Sequence, residues 1–334
     1  MTPRDLNLSV QGLALAGSGR RALFAAPFLL TPSILHAQDF PTRAMRIVVP
    51  FAAGGSSDIL ARIVAQHIEA TTGAPGVVDN RPGGGGVIGV MAVKMAAPDG
   101  YTLMLCGTTT HSANPSLLRN LPYDPQRDFA TVGVIPSNGS YLLVRKEAPW
   151  NSVADLVAAA KAAPNRLSSG YFNSSSQVPA AMLNALAGID VEQVPYRVIG
   201  NAFTDLLGGR LDFVFVDTTA GDSYVSGGLL RPLAVTRPTR WDRFPNLPAL
   251  AETWPEFTLT GFLGIAVPAG TPQPILERLN ALVNGAVLAE PASSRLKDIG
   301  LVPTRMDLDT CARAVAEERQ KWAHFIQLAR IQPQ

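Results

Sequence analysis

Arg46-Ile-Val-Val-Pro-Phe-Ala-Ala-Gly-Gly-Ser-Ser-Asp58 holds the fold in miniature. Arg46 to Pro50 is a continuous apolar run of strand length, and Phe51 to Ser57 follows as a loop. From Asp58 to Ala70 the apolar residues Ile59, Leu60, Ile63, Val64 and Ile68 recur at helical spacing, with Ser56, Ser57 and Asp58 offering capping oxygens. The loop also carries chemistry. Backbone N–H groups converge at a helix start under the positive end of its dipole. Gly54 and Gly55 allow a carboxylate to approach closely, and the two serine hydroxyls add donors. An ordinary capped turn needs a serine but not paired glycines.

The same alternation runs outward along the chain. Strands are expected at Gly76–Asp79, Tyr101–Leu105, Val132–Ile135, Tyr141–Val144, Leu167–Tyr171, Glu192–Pro195, Leu211–Val216, Leu233–Val235 and Phe262–Val267. Helices are expected at Val87–Ala96, Val153–Ala163, Val178–Ala187, Ala202–Leu207, Pro274–Leu288, Pro291–Ile299 and Leu308–Leu328. Strands alternating with helices imply an α/β chain whose mostly parallel sheets are covered on both faces. Pro136 to Ser140 and Leu247 to Gly261 look like crossings between domains. They divide the chain into lobe I, residues 38–138 with 259–334, and lobe II, residues 139–258. Two crossings between two α/β lobes make a hinged clamshell with its cleft at the strand C-termini.

The N-terminus is set apart. Arg20 and Arg21 precede an apolar run from Ala22 to Leu35, interrupted by Pro27, Thr31, Pro32 and Ser33 and closing on His36-Ala37. This reads as a signal peptide over residues 1–37, leading to the periplasm by the twin-arginine or general secretory route. Residues 1–37 hold Arg4, Arg20 and Arg21 against Asp5, a net +2 that equals the whole chain's +2. The remainder is therefore neutral, with no electrostatic reason to seek nucleic acid or anionic lipid. Cys106 and Cys311 form no disulfide framework, although export permits one bridge between them.

Catalytic constellations are missing from the pattern. Beyond the leader the histidines are His67, His111 and His324, with no His-Glu-x-x-His pair, no metal-ligand spacing and no Gly-x-Ser-x-Gly elbow. No cofactor and no metal are expected. Gly84-Gly-Gly-Val-Ile-Gly89 matches a dinucleotide fingerprint formally, but the next strand ends in Cys106 and Gly107 without the acidic partner. His111, among Thr108, Thr109, Thr110 and Ser112, is a candidate ligand contact after a strand. Thr108 to Ser112 and Asn173 to Gln177 read as hydroxyl-rich loops at the same edge as Gly54–Ser57. Asp217 ends the apolar strand Phe213-Val-Phe-Val216, either as a helix cap or as an acceptor for a ligand amine, hydroxyl or protonated acid.

Val49-Pro-Phe-Ala-Ala-Gly-Gly-Ser-Ser-Asp58 with Ala61-Arg62 resembles the opening signature of the Bug family, the periplasmic solute receptors of tripartite tricarboxylate transporters. Asn80-Arg-Pro-Gly-Gly84, Pro98-Asp-Gly-Tyr-Thr-Leu103, Val194-Pro-Tyr-Arg197, Asp205-Leu-Leu-Gly-Gly-Arg210 and Pro268-Ala-Gly-Thr-Pro272 extend the resemblance in order. It implies a two-lobed periplasmic-binding-protein fold that closes on a small carboxylate. One ligand carboxylate would be held by the first loop, here Phe51, Ala53, Gly54, Gly55, Ser56 and Ser57. Thr108, Thr109 and His111 would add contacts, as would Tyr171, Asn173, Ser174 and Ser175 of the second lobe. Many relatives carry a Gly-x-Gly-Ser type sequence where this chain has Tyr171-Phe-Asn-Ser174, which shifts that loop toward side-chain donors.

The expected function is thus a monomeric, non-enzymatic receptor. It would capture a dicarboxylate, tricarboxylate, aromatic acid or amino acid and deliver it to membrane permease subunits. The rivals are a periplasmic sensor of the same fold and an exported enzyme using Asp217 or His111.

Overall fold

The computed structural model describes residues 40–334, so the leader expected over residues 1–37 lies outside the described residues. Two five-stranded sheets organise the chain, in the orders β2-β1-β3-β10-β4 and β7-β6-β8-β5-β9. The first is built from β1 (Met45–Val49), β2 (Gly76–Asn80), β3 (Thr102–Gly107), β4 (Phe129–Ser137) and β10 (Gly261–Pro268). The second is built from β5 (Ser140–Arg145), β6 (Ser168–Tyr171), β7 (Glu192–Pro195), β8 (Phe213–Asp217) and β9 (Leu230–Val235).

The two sheets share one topology. β1 pairs in parallel with β2 and β3, as β6 does with β7 and β8. The fourth strand of each sheet is reversed: β10 is antiparallel to β3 and β4, and β5 to β8 and β9. The reversal has a simple cause. A strand fed by a helix on the sheet face starts far from the cleft, whereas β5 and β10 have just crossed from the other lobe and start beside it. Four of five strands in each sheet therefore run one way, so the expected two-lobed α/β architecture with mostly parallel sheets holds.

Helices cover both faces. In the first lobe α1 (Ser56–Thr72), α2 (Val87–Lys94) and the short α3 (Asn114–Leu117) follow β1, β2 and β3. In the second, α4 (Val153–Ala162) precedes β6, α5 (Ser174–Ala187) and α6 (Ile199–Leu207) follow β6 and β7, and α7 (Thr218–Ser226) follows β8. After β10 come α8 (Gln273–Leu288), α9 (Ala292–Asp298) and α10 (Leu308–Leu328). The periodicity seen in α1 is its packing face: Leu60, Ile63, Val64 and Ile68 bury against Ile47, Val49 and α8 residues Leu279 and Val283. Each such side chain contributes about 1.5–3 kcal/mol. Tyr141, Val214, Val216 and Phe203 do the same for one face of the second sheet.

Several elements differ from expectation at their ends. α5 starts four residues before the expected Val178, because Asn173 caps it and Pro179 is accommodated within the helix. The segment expected as a hydroxyl loop after β3 is a wide helical turn, Thr108–Ala113, that runs into α3. α7 carried no apolar periodicity to announce it, since it is made of Thr218-Thr-Ala-Gly-Asp-Ser-Tyr-Val-Ser226. Cys106 and Cys311 are both free and buried in one apolar cluster, where burial raises both thiols, Cys311 to about 11.

The crossings sit side by side. The first is Asn138-Gly139 between β4 and β5, with Gly139 at φ +84. A Cβ there would lie 2.6 Å from both the Leu259 carbonyl of the second crossing and the hydroxyl of Thr236, which follows β9. Thr236 Oγ1 ties them by accepting from the Ser140 N–H at 2.8 Å and donating to the Leu259 carbonyl at 2.7 Å. α10 is a third link, since Trp322, Phe325 and Ile326 pack in the cluster that contains Val178 and Met182 of α5.

Candidate functional site

A cavity of about 1200 Å³ opens between the lobes, lined by the turns after β1, β2 and β3 on one side and by those after β6, β7 and β8 on the other. It is larger than a small metabolite needs. The first-lobe wall is mostly backbone. Gly54 has φ +89, a conformation that L side chains rarely adopt. α1 then begins on Gly55 with no side-chain cap. The serines expected as caps do not act as such, and Asp58 turns back instead: its Oδ2 accepts from the Gly54 N–H at 3.1 Å and from Arg62 Nε at 2.9 Å. Burial pushes the Asp58 carboxyl upward, but Arg62, the Gly54 amide and Asn80 outweigh it and hold the group below its ordinary value. Asn80 also donates to the Phe51 carbonyl at 3.2 Å. The loop is thus fixed from behind, and the helix start faces the cavity with orphan donors.

The second-lobe wall is finished with side chains. Asn173 Oδ1 accepts from the Ser176 N–H at 3.0 Å, while Ser176 Oγ accepts from the Phe172 N–H at 3.0 Å, so this helix start satisfies itself. Asp217 Oδ1 caps α7 by accepting from the Ala220 N–H at 3.0 Å. Burial raises the pKa of this carboxyl. Phe172, Val198, Ile199, Phe203 and Tyr224 form an apolar stretch of this wall, in which the rings of Phe203 and Tyr224 lie tilted against each other with centroids 4.1 Å apart.

Of the residues expected in the site, Phe51, Ala53, Gly54, Gly55, Ser56, Ser57, Thr108, Thr109, Asn173, Ser175 and Asp217 line the cavity. His111, Tyr171 and Ser174 do not. His111 is fully buried against Phe129, with Nδ1 3.1 Å from Thr110 Oγ1. Burial lowers its pKa to about 3, which keeps it neutral. Tyr171 ends β6, and its carbonyl accepts from Tyr196. Ser174 donates to Thr109 Oγ1 at 3.0 Å, a buried bond between the lobes. Thr108 Oγ1 is engaged by the Phe262 N–H at 2.9 Å. Pro82 to Gly86, Val198 to Gly200 and Tyr224 were not anticipated as lining. The glycine cluster is visible in the sequence, where it matches a dinucleotide fingerprint formally and forms part of the family resemblance, but neither marks it as lining.

Among the described residues no group of three or more His, Cys, Asp or Glu side chains is placed to hold a metal ion. No described helix is long and apolar enough to cross a membrane.

The sequence profile described as the tripartite tricarboxylate transporter family receptor matches residues 60–331. The chain belongs to this family. Among relatives, Protein BugT of Bordetella pertussis is 30% identical over 323 residues, covering 96% of each chain. A protein encoded in the tcbD-tcbE intergenic region of Pseudomonas sp. is 32% identical over 320 residues, covering 93% of this chain and 95% of its own. Among solved structures, Rpa4515 of R. palustris with adipate has a TM-score of 0.84 at 31% identity, covering 88% of this chain and 100% of its own. MatC of Rhodopseudomonas palustris with bound malate has a TM-score of 0.80 at 29% identity, covering 86% and 100%. The periplasmic binding protein BugD is similar too, at 28% identity and a TM-score of 0.81 over 88% of this chain and 100% of its own. This Bug-type chain is accordingly a solute-binding receptor of the periplasmic-binding-protein kind, with family members and structural neighbours that are binding proteins.

Proposed function

We propose that this receptor is exported by residues 1–37, captures a small carboxylate between its lobes in the periplasm as a monomer, and delivers it to the membrane permease subunits of a tripartite transporter. Lobe I comprises residues 38–138 with 259–334, and lobe II residues 139–258. The observation that carries this reading is the uncapped start of α1 opening onto the interlobe cavity, an arrangement suited to an anion. The structures with adipate and with malate support the class. Of the two residues an exported enzyme would use, His111 is neutral, buried and off the cavity lining, which leaves that reading with Asp217 alone.

Ligand enters the open cleft, takes the α1 amides with its carboxylate and stabilises the closed lobes through contacts available only there. The test is a thermal-shift screen of dicarboxylates, hydroxy acids, aromatic acids and amino acids, with product analysis alongside. At about 100 times Kd a true ligand adds about 2.7 kcal/mol to stability, so an upward shift with the ligand recovered unchanged is expected. Turnover that is lost in Asp217→Asn would overturn the receptor reading in favour of an enzyme.

A further inference from the structure

The end of α9 is held from the other lobe. Asp298 and Ile299 carry its last carbonyls, which have no partner within the helix. Arg243 of lobe II donates to the Asp298 carbonyl, and Thr219, in the first turn of α7, donates to the Ile299 carbonyl. A cation suits this position, because the C-terminal end of a helix is its negative pole. Arg243 is set in place from its own lobe before it reaches across. Its guanidinium donates to Asp222 of α7 at 3.1 Å and lies 5.7 Å from the centroid of the Trp241 ring and 5.4 Å from that of Phe244. Gly300 follows at φ +84, and a Cβ there would lie 2.0 Å from Thr218 Oγ1. Only glycine lets α7 come this close.

We infer that Arg243 and Thr219 are positioning residues that clasp the closed lobes together at the end of α9. The segment they grip is tied on its other side to the first crossing. There the Asn138 N–H donates to the Gly300 carbonyl and the Val302 N–H to the Pro136 carbonyl, each at 2.8 Å. Swinging lobe II about the crossings draws α7 off α9 and leaves the two helix-end carbonyls without their protein donors, so the clasp favours the closed arrangement. It is also linked to the cavity. Thr218 and Thr219 line it, as does Leu301, whereas Arg243 does not. A ligand seated against the first turn of α7 therefore presses that turn onto α9, and ligand and clasp stabilise the same arrangement of the lobes. Because Arg243 lies off the lining, its contribution acts on every ligand alike.

The inference rests on the two-lobed receptor reading, and the distance between the lobes tests it apart from any ligand. Spin labels at Met95→Cys in α2 and Leu207→Cys in α6, both exposed positions, report lobe separation in the full mature chain, while Cys106 and Cys311 are buried. Arg243→Met keeps a side chain against the two rings but loses the charge and the donors. In the ligand-free protein it should raise the ratio of open to closed lobes on the order of 10-fold. Thr219→Val should raise the ratio a few-fold, and either variant decides the matter if the other does not fold. In calorimetry with malate and adipate, Arg243→Met should weaken both acids by one factor, that by which the closed population falls. Unaltered interlobe distances in a folded variant overturn the clasp. So does a changed preference between the two acids, which would put Arg243 in contact with ligand. Failure of both acids to bind the native chain counts against the carboxylate reading instead, and the distances still decide the clasp.

Discussion

Helices α1 and α5 begin at matching places in the two lobes, each after the strand that holds the second position in its sheet, yet their first turns are completed in opposite ways. The start of α5 is closed by Asn173 and Ser176, which satisfy one another's backbone. The start of α1 has glycines, no cap, and a bracing carboxylate behind it. One topology thus yields a sealed helix end and an open one, and the open end is where an anion gains most. The lesson is that the equivalent turns of a two-lobed receptor need not share the work. In this chain lobe I supplies the amides, and lobe II supplies a wall and one carboxylate.

The comparison is broken most severely by closing the open end. Gly55→Val should cost on the order of 100-fold in carboxylate affinity by calorimetry, since its branched side chain shields the amides. The melting temperature of the unliganded protein should hardly move, because φ at Gly55 is −83 and a Cβ there meets no heavy atom within 4 Å. Preserved affinity would remove the loop from the site. Removing the brace comes next. Asp58→Ala should lower stability by about 2 kcal/mol in denaturant titrations. Because the folded carboxyl is held below its ordinary value, its contribution is present above the unfolded pKa of about 4 and fades as pH falls through the folded one. The gap between native and variant proteins should therefore narrow in acid.

On the sealed side the effects are smaller and fall on stability. Asn173→Ala removes a cap and should cost about 1 kcal/mol, with a loss of affinity well below that of Gly55→Val. A binding loss as large as that of Gly55→Val would mean that both helix ends hold ligand. Ser174→Ala, which deletes the hydroxyl pair with Thr109, should change stability by less than about 1 kcal/mol and alter affinity only as far as it shifts the balance of open and closed lobes.

Much of this was legible before any coordinates. The strand, loop and helix of residues 46–70 appeared as read, because Ile47, Leu60, Val64 and Ile68 declare their burial by spacing alone. The crossing at Asn138-Gly139 was visible as a polar break between apolar runs. What escaped was decided by tertiary contact. His111 looked available among hydroxyls, but the turn after β3 rolls it inward against Phe129. Ser174 looked like a donor for ligand and instead spans the lobes to Thr109. Phe203 reads as an ordinary helix residue and Tyr224 lies in a stretch where no helix was expected, and the two meet only because α6 and α7 bring them together.

The reversed strand β10 has a consequence for biogenesis. It lies between β3 and β4, so those two strands of the first lobe never touch as partners and must wait for Gly261–Pro268 to be made before their sheet becomes continuous. A nascent chain that ends short of Gly261 carries a slot down the middle of its first sheet, with two unpaired edges facing it. Such long-range closure slows folding and exposes sticky intermediates. The same strand that brings the chain back through the hinge thereby delays the first lobe until the second has been synthesised.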